Sequence, residues 1–276
     1  MSSSKMQTFW IRLRSSVILM AITIASLAVG GPLLWGVLTA VSLTGLWELY
    51  RVFDLKGSPL AITGAIVSLL YYVLLLGNGR GEWLAVLLLA GFLALLAVYV
   101  FTFPKYKADR LAQAVFGVLY VTVMISYIYR IRLAGDGAYL VWLVFIASWG
   151  SDTMAYCSGM LLGRHKLAPV LSPKKSVEGA VGGVIGAAAL GALFAVIFRS
   201  HISVFANPVV SIALLGAAGS VVSQIGDLAA SAIKRNYDIK DYGTLIPGHG
   251  GILDRFDSVI ITAPIVYYLI ELQTML

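Results

Sequence analysis

Ser231–Asp257 reads SAIKRNYDIKDYGTLIPGHGGILDRFD and lies between two long apolar stretches. It carries four basic side chains (Lys234, Arg235, Lys240, Arg255), four carboxylates (Asp238, Asp241, Asp254, Asp257), His249 and four glycines. Charge at this density does not enter hydrocarbon without partners, so the apolar flanks place the run at a membrane surface. Its glycines let backbone approach a ligand closely, and the mixture of Lys, Arg and Asp suits phosphate together with a divalent cation. The stretch reads as half of a nucleotide site.

The rest of the chain supplies a membrane setting. Of 276 residues, 59% are hydrophobic and only 12% charged, against about 25% in soluble domains; the mean hydropathy is +0.90. An apolar window of roughly 20 residues crosses a bilayer. Nine such windows fall near 16–33, 34–52, 59–77, 83–103, 111–129, 137–157, 179–198, 208–233 and 253–271. The expected fold is an all-α integral membrane protein of about nine transmembrane helices in a single polytopic domain. Residues 1–135 form generic N-terminal helices, and 136–276 carry the catalytic helices and motif loops. Gly30, Gly31 and Pro32 mark a tight turn between the first two spans. The basic N-terminus followed by an apolar run resembles a signal sequence. No small-x-small cleavage site follows before the second span, so it reads as an uncleaved first helix. The single cysteine, Cys157, excludes a disulfide framework or a thiolate cluster and is assigned to packing.

The net charge of +7 comes from basic residues scattered through short loops, which argues against a nucleic-acid partner. It reads better by the positive-inside rule. With the N-terminus inside, four basic residues, Arg80, Arg130, Arg132 and Arg199, fall outside, and the other 16 of the 20 are cytoplasmic. This predicts a cytoplasmic N-terminus, an outside C-terminus and both motif loops facing the cytoplasm. The compact size and lack of a targeting extension are read as a bacterial cell membrane.

Ionisable groups inside the predicted helices narrow the search. A lone Asp at a helix centre costs about 2.5–3.5 kcal/mol on insertion scales. Asp227 falls on a stripe with Ser220, Ser223, Gln224, Ser231 and Lys234, one polar face of an apolar span. Such a face is either an interhelical contact or the lining of a cation site. Asp254 and Asp257 open the last helix at i and i+3, either to meet the helix dipole or to join Asp227 around Mg2+. His249 is either a solvated loop residue or a contact to phosphate or base, and Arg255 either a topological anchor or a phosphate ligand. A second constellation runs from Ser151-Asp152-Thr153 and Tyr156 through Gly163-Arg164-His165-Lys166 to Ser172-Pro173-Lys174-Lys175-Ser176-Val177-Glu178-Gly179. Ser172 and Pro173 read as the cap and first residue of the seventh helix, whose two lysines suit an anion. The bland alternative is an anchor on anionic headgroups. Gly179, Gly182, Gly183 and Gly186 read as close helix packing.

The run Ser231, Lys234-Arg235, Lys240-Asp241, His249-Gly250-Gly251, Asp254-Arg255 and Asp257 resembles the signature of the phosphatidate cytidylyltransferases, or CDP-diacylglycerol synthases, with every spacing intact. Residues 151–179 resemble further elements of that family, with Ser176 where threonine is usual. The first five helices match only in being apolar.

This resemblance implies formation of CDP-diacylglycerol and pyrophosphate from CTP and phosphatidic acid. It also implies Mg2+, with a second cation left open, in a polytopic homodimer. Asp227, Asp254 and Asp257 are assigned to metal, and they join Lys234 and His249 as the catalytic group. Asp152, Lys174, Lys175, Ser176, Lys234, Arg235, Lys240, His249 and Arg255 are assigned to substrate. Competing readings are an enzyme using CTP on another lipid, and a cation-coupled transporter, which intramembrane Asp on a polar helix also suits. A CDP-alcohol phosphotransferase is disfavoured because its D-x-x-D-G pattern is absent.

Overall fold

In hydrocarbon every backbone N–H must find its acceptor within its own segment, so long apolar runs fold as helices. The computed structural model describes residues 3–77, 81–248 and 250–275, and of residues 3–9 and 12 the backbone only. The helices are α1 (Ser3–Val29), α2 (Gly31–Val52), α3 (Pro59–Leu76), α4 (Gly81–Phe101), α5 (Ala108–Leu133), α6 (Gly137–Leu162), α7 (Val177–Ile197), α8 (Pro208–Asn236) and α9 (Leu253–Met275). Eight of them, α2 to α9, are long and apolar enough to cross a membrane, whereas the apolar part of α1, Leu13–Val29, is shorter. The chain is an all-α integral membrane protein. The break between the first two spans falls at Gly30, earlier than the hydropathy windows suggest. Gly30 has a positive φ of 69°, and Pro32 sits in the first turn of α2.

Two compact units divide the chain. One comprises Met1–Ser126 with Asp241–Arg255, and the other Tyr127–Lys240 with Phe256–Leu276. The stretch 241–255 therefore groups with the N-terminal helices, although the sequence reading attaches it to the second half.

In the first unit Tyr50 is buried, and its hydroxyl donates to the Ala114 carbonyl at 2.7 Å. Gly64 and Gly117 leave room for its ring, which a Cβ at either position would overlap. Thr122 links α5 to its neighbours, accepting from Ser42 at 3.3 Å and donating to Ser68 at 2.7 Å. The buried hydroxyls of Ser42, Thr122 and Ser68 are thus paired with one another.

The second unit packs through small residues. A Cβ on Gly182 would meet Ser158, one on Gly183 would meet Ala155, and one on Gly186 would meet Met154, so these glycines face α6. Gly216 lies against the Ala187 carbonyl, 2.7 Å from where its Cβ would stand. Where lipid tails are as apolar as the side chains, such close approach supplies the contact that holds helices together. Ser151 and Ser220 share a hydrogen bond of 2.6 Å, and Gln224 donates to the Ala180 carbonyl at 3.1 Å.

Two expectations are corrected. Ser172 and Pro173 do not start a helix. They begin β2 (Ser172–Ser176), which pairs antiparallel with β1 (Lys166–Ala168). A strand in a two-stranded ribbon is an edge, where the missing N–H of proline is tolerated. Helix α7 is capped instead by Ser176, whose Oγ accepts the Gly179 N–H at 3.1 Å. Cys157 is exposed on α6 and is not a packing residue, because the side of the helix against α7 is taken by Met154, Ala155 and Ser158.

Candidate active site

The second unit gathers charge from four elements. Lys175 on β2 stands 2.5 Å from Oδ2 of Asp227 on α8, and Lys234, at the end of α8, stands 3.8 Å from Oδ2 of Asp257 on α9. Asp152 on α6 accepts from the Ser258 hydroxyl at 3.3 Å. The three carboxylates feel one another: the charge of Asp227 acts on Asp152 and on Asp257, and that of Asp152 acts on Asp257. Three carboxyl groups thus share one unit with two lysine ammonium groups. The polar stripe of α8 is turned inward, with Ser220 and Ser223 fully buried and Gln224, Asp227, Ser231 and Lys234 half-buried.

Local structure explains how Lys175 arrives there. In the hairpin Lys166 pairs with Ser176 and Ala168 with Ser172, with an irregularity in register between the two pairs. Lys175 is half-buried toward Asp227, whereas Lys174 beside it is exposed. Glu178, in the first turn of α7, clamps the preceding turn by accepting the N–H groups of Arg164 (3.0 Å) and His165 (3.2 Å) and meeting the His165 ring at 2.6 Å. On α6, a π-helical turn over Ile146–Gly150 immediately precedes Ser151 and Asp152. Such turns reset the register of a helix and recur at functional sites.

The first unit holds Asp241–Arg255, the middle of the motif stretch. Asp254 is 6% exposed, and its Oδ2 accepts the N–H groups of Tyr242 (2.7 Å) and Gly251 (3.0 Å). Glu48 on α2 accepts from Ile252 (3.1 Å) and Leu253 (2.9 Å), and Arg51 donates to the Tyr242 carbonyl at 2.6 Å.

Of the residues singled out in sequence, Asp152, Lys175, Asp227, Lys234 and Asp257 come together. Asp254 is engaged with backbone amides of its own unit. Ser176 serves as a helix cap, and Lys174, Arg235 and Lys240 are exposed; Arg255 is half-buried. His249 lies outside the described residues. Among the described residues no three His, Cys, Asp or Glu side chains are grouped closely enough to ligate one ion as they stand. Sequence reasoning missed Glu48 and Arg51. Their signal was an acid inside the second apolar window, three residues before an arginine.

Fold and site define a polytopic membrane protein in which one helical unit gathers carboxyl groups and lysines. The sequence profile of the Cytidylyltransferase family matches residues 10–273. Similar proteins include the phosphatidate cytidylyltransferase of Staphylococcus epidermidis RP62A, 32% identical over 94% of this chain and 98% of the relative. That of Bacillus subtilis 168 is 34% identical over 92% and 95%, and that of Staphylococcus aureus COL 29% identical over 94% and 98%. The chain belongs to the cytidylyltransferase family.

Proposed function

We propose that this protein transfers a cytidylyl group from CTP to phosphatidic acid, forming CDP-diacylglycerol and pyrophosphate. The setting is a cell membrane, with the site facing the cytoplasm and the protein acting as a homodimer. The observation that carries the reading is the pairing of Lys175 with Asp227 and Lys234 with Asp257 inside one helical unit. The names of the full-length relatives support it.

An oxygen of the lipid phosphate attacks the α-phosphorus of CTP. A new P–O–P link forms as the bond from that phosphorus to the bridging oxygen of the β-phosphate breaks, and pyrophosphate leaves. The lipid phosphate is already ionised near neutral pH, so no base is required to make a nucleophile. The obstacle is repulsion between two anions, and positioned cations remove it. Lys175 and Lys234 exchange their carboxylates for substrate phosphate oxygens, and exposed Lys174, Arg235 and Lys240 draw the nucleotide in. The sequence resemblance further assigns Arg255 and His249 to substrate.

The residues present fit Mg2+. Asp152, Asp227 and Asp257 offer only hard oxygen donors, and this ion commonly takes one or two carboxylates with substrate phosphates and water in place of a full protein cage. Mg2+ held there would offset the charge that develops on the transferring group. Release of the two lysines by their carboxylates couples cation binding to phosphate binding.

The test is purified protein in detergent given CTP and phosphatidic acid, with Mg2+ or with chelator. Metal-dependent CDP-diacylglycerol and pyrophosphate in equal amounts are expected. Folded protein that forms neither from phosphatidic acid would overturn the reading. Turnover with a different lipid phosphate, or ion uptake into proteoliposomes without nucleotide, would then indicate the replacement.

A further inference from the structure

Glu48 sits in the second helix, 204 residues before the first of the two amides it accepts, and is only 4% exposed. A helix start leaves its first N–H groups without partners in the helix. At α9 the local sequence offers glycine and isoleucine just before Leu253, neither with a side-chain acceptor. Glu48 supplies the missing cap from α2, one carboxylate serving Ile252 at 3.1 Å and Leu253 at 2.9 Å. Its negative charge also meets the positive end of the helix dipole. Gly243 and Gly251 lie directly against it, and a Cβ at either would overlap the carboxylate oxygens. Arg51, one turn along α2, fixes the Tyr242 carbonyl at 2.6 Å. Two side chains of α2 thus tie down both ends of the stretch Tyr242–Leu253. A buried carboxylate in an apolar span is costly, and packing alone would be served by leucine.

We propose that Glu48 is a positioning residue for cytidylyl transfer. It fixes the backbone at the start of α9, the helix that carries Asp254, Arg255 and, one turn on, Asp257. This rests on the function proposed above, and it extends the working part of the molecule into helices whose sequence looked generic.

The test uses full-length protein in detergent. Glu48→Gln keeps the shape but presents an amide N–H where the second acceptor stood. Losing charge-assisted hydrogen bonds of this kind speeds local opening by roughly tenfold to a hundredfold. Amide exchange over 250–255 should therefore accelerate by that factor, with exchange in α6 to α8 unchanged. The kcat should fall by a similar factor, while KM for CTP moves by less than about threefold. Gly251→Ala, whose Cβ would overlap the carboxylate oxygens, should produce the same pattern, and Gly243→Ala stands in should either variant fail to fold. Exchange at 250–255 matching wild type in these variants, or faster exchange with an unchanged kcat, would overturn the proposal. The exchange readout needs no turnover. Wild-type protein inactive on phosphatidic acid would therefore sink the reaction separately from the anchor.

Discussion

Asp227 and Asp257 each face a lysine side chain. Asp254 instead accepts two backbone N–H groups. The account therefore separates residues that look alike in sequence. Asp227→Asn and Asp257→Asn should lower CDP-lipid formation by at least about a hundredfold and raise the Mg2+ needed for half-maximal rate. Asp254→Asn should leave that Mg2+ requirement in place while lowering the melting midpoint, since hydrogen bonds to charged groups contribute about 1.5–3 kcal/mol. A magnesium titration beside a melting curve distinguishes them. Asp227 was legible because a charge in an apolar run demands an explanation. The amide partners of Asp254 were not legible, because spacing of three on a helix says which side two residues share, and nothing of amides offered by the turn before it. In the loop before α6, Asp136 is a smaller case. Partial burial raises its carboxyl, but the N–H groups of Ser203 and Val204 and the Ser203 hydroxyl outweigh that and hold it below its ordinary 3.8. A carboxyl depressed by folding stabilises the fold above its unfolded value and loses that contribution as pH falls through the folded one. Asp136→Asn should thus melt below wild type at neutral pH, with the two converging below about pH 3.8.

At the scale of elements, the hairpin between α6 and α7 sets where Lys175 points, and its join to α7 depends on the Ser176 cap. Ser176→Ala should cost about 1 kcal/mol, read as a lower melting midpoint. Ser176→Thr, which keeps the hydroxyl, should melt close to wild type. Hydropathy located the spans because a bilayer enforces helix wherever about 20 apolar residues run together. It did not reveal the hairpin. Ser-Pro serves equally as a helix start and as an edge strand, and the choice is made by pairing Lys166 with Ser176, which no local pattern announces. The cap from Glu48 was hidden for the same reason, since its partners Ile252 and Leu253 lie in a distant segment.

At the scale of the molecule, eight helices able to cross a membrane among the described residues make the polytopic class firm, and charge bias predicts an orientation. Reporter fusions should find the N-terminus cytoplasmic and the C-terminus outside; the reverse would place the motif loops on the wrong side for CTP. The grouping of 241–255 with the N-terminal helices was not visible in composition, because those helices read only as generic apolar spans. The central claim is that the cluster of Asp152, Asp227 and Asp257 with Lys175 and Lys234 performs cytidylyl transfer. The most direct measurement follows labelled phosphatidic acid into CDP-diacylglycerol, with pyrophosphate counted alongside, for wild type and Asp227→Asn of equal melting behaviour. Equal yields of the two products from wild type, abolished by chelator and nearly absent in the variant, are predicted. A variant that turns over like wild type with the same dependence on Mg2+ would contradict the account.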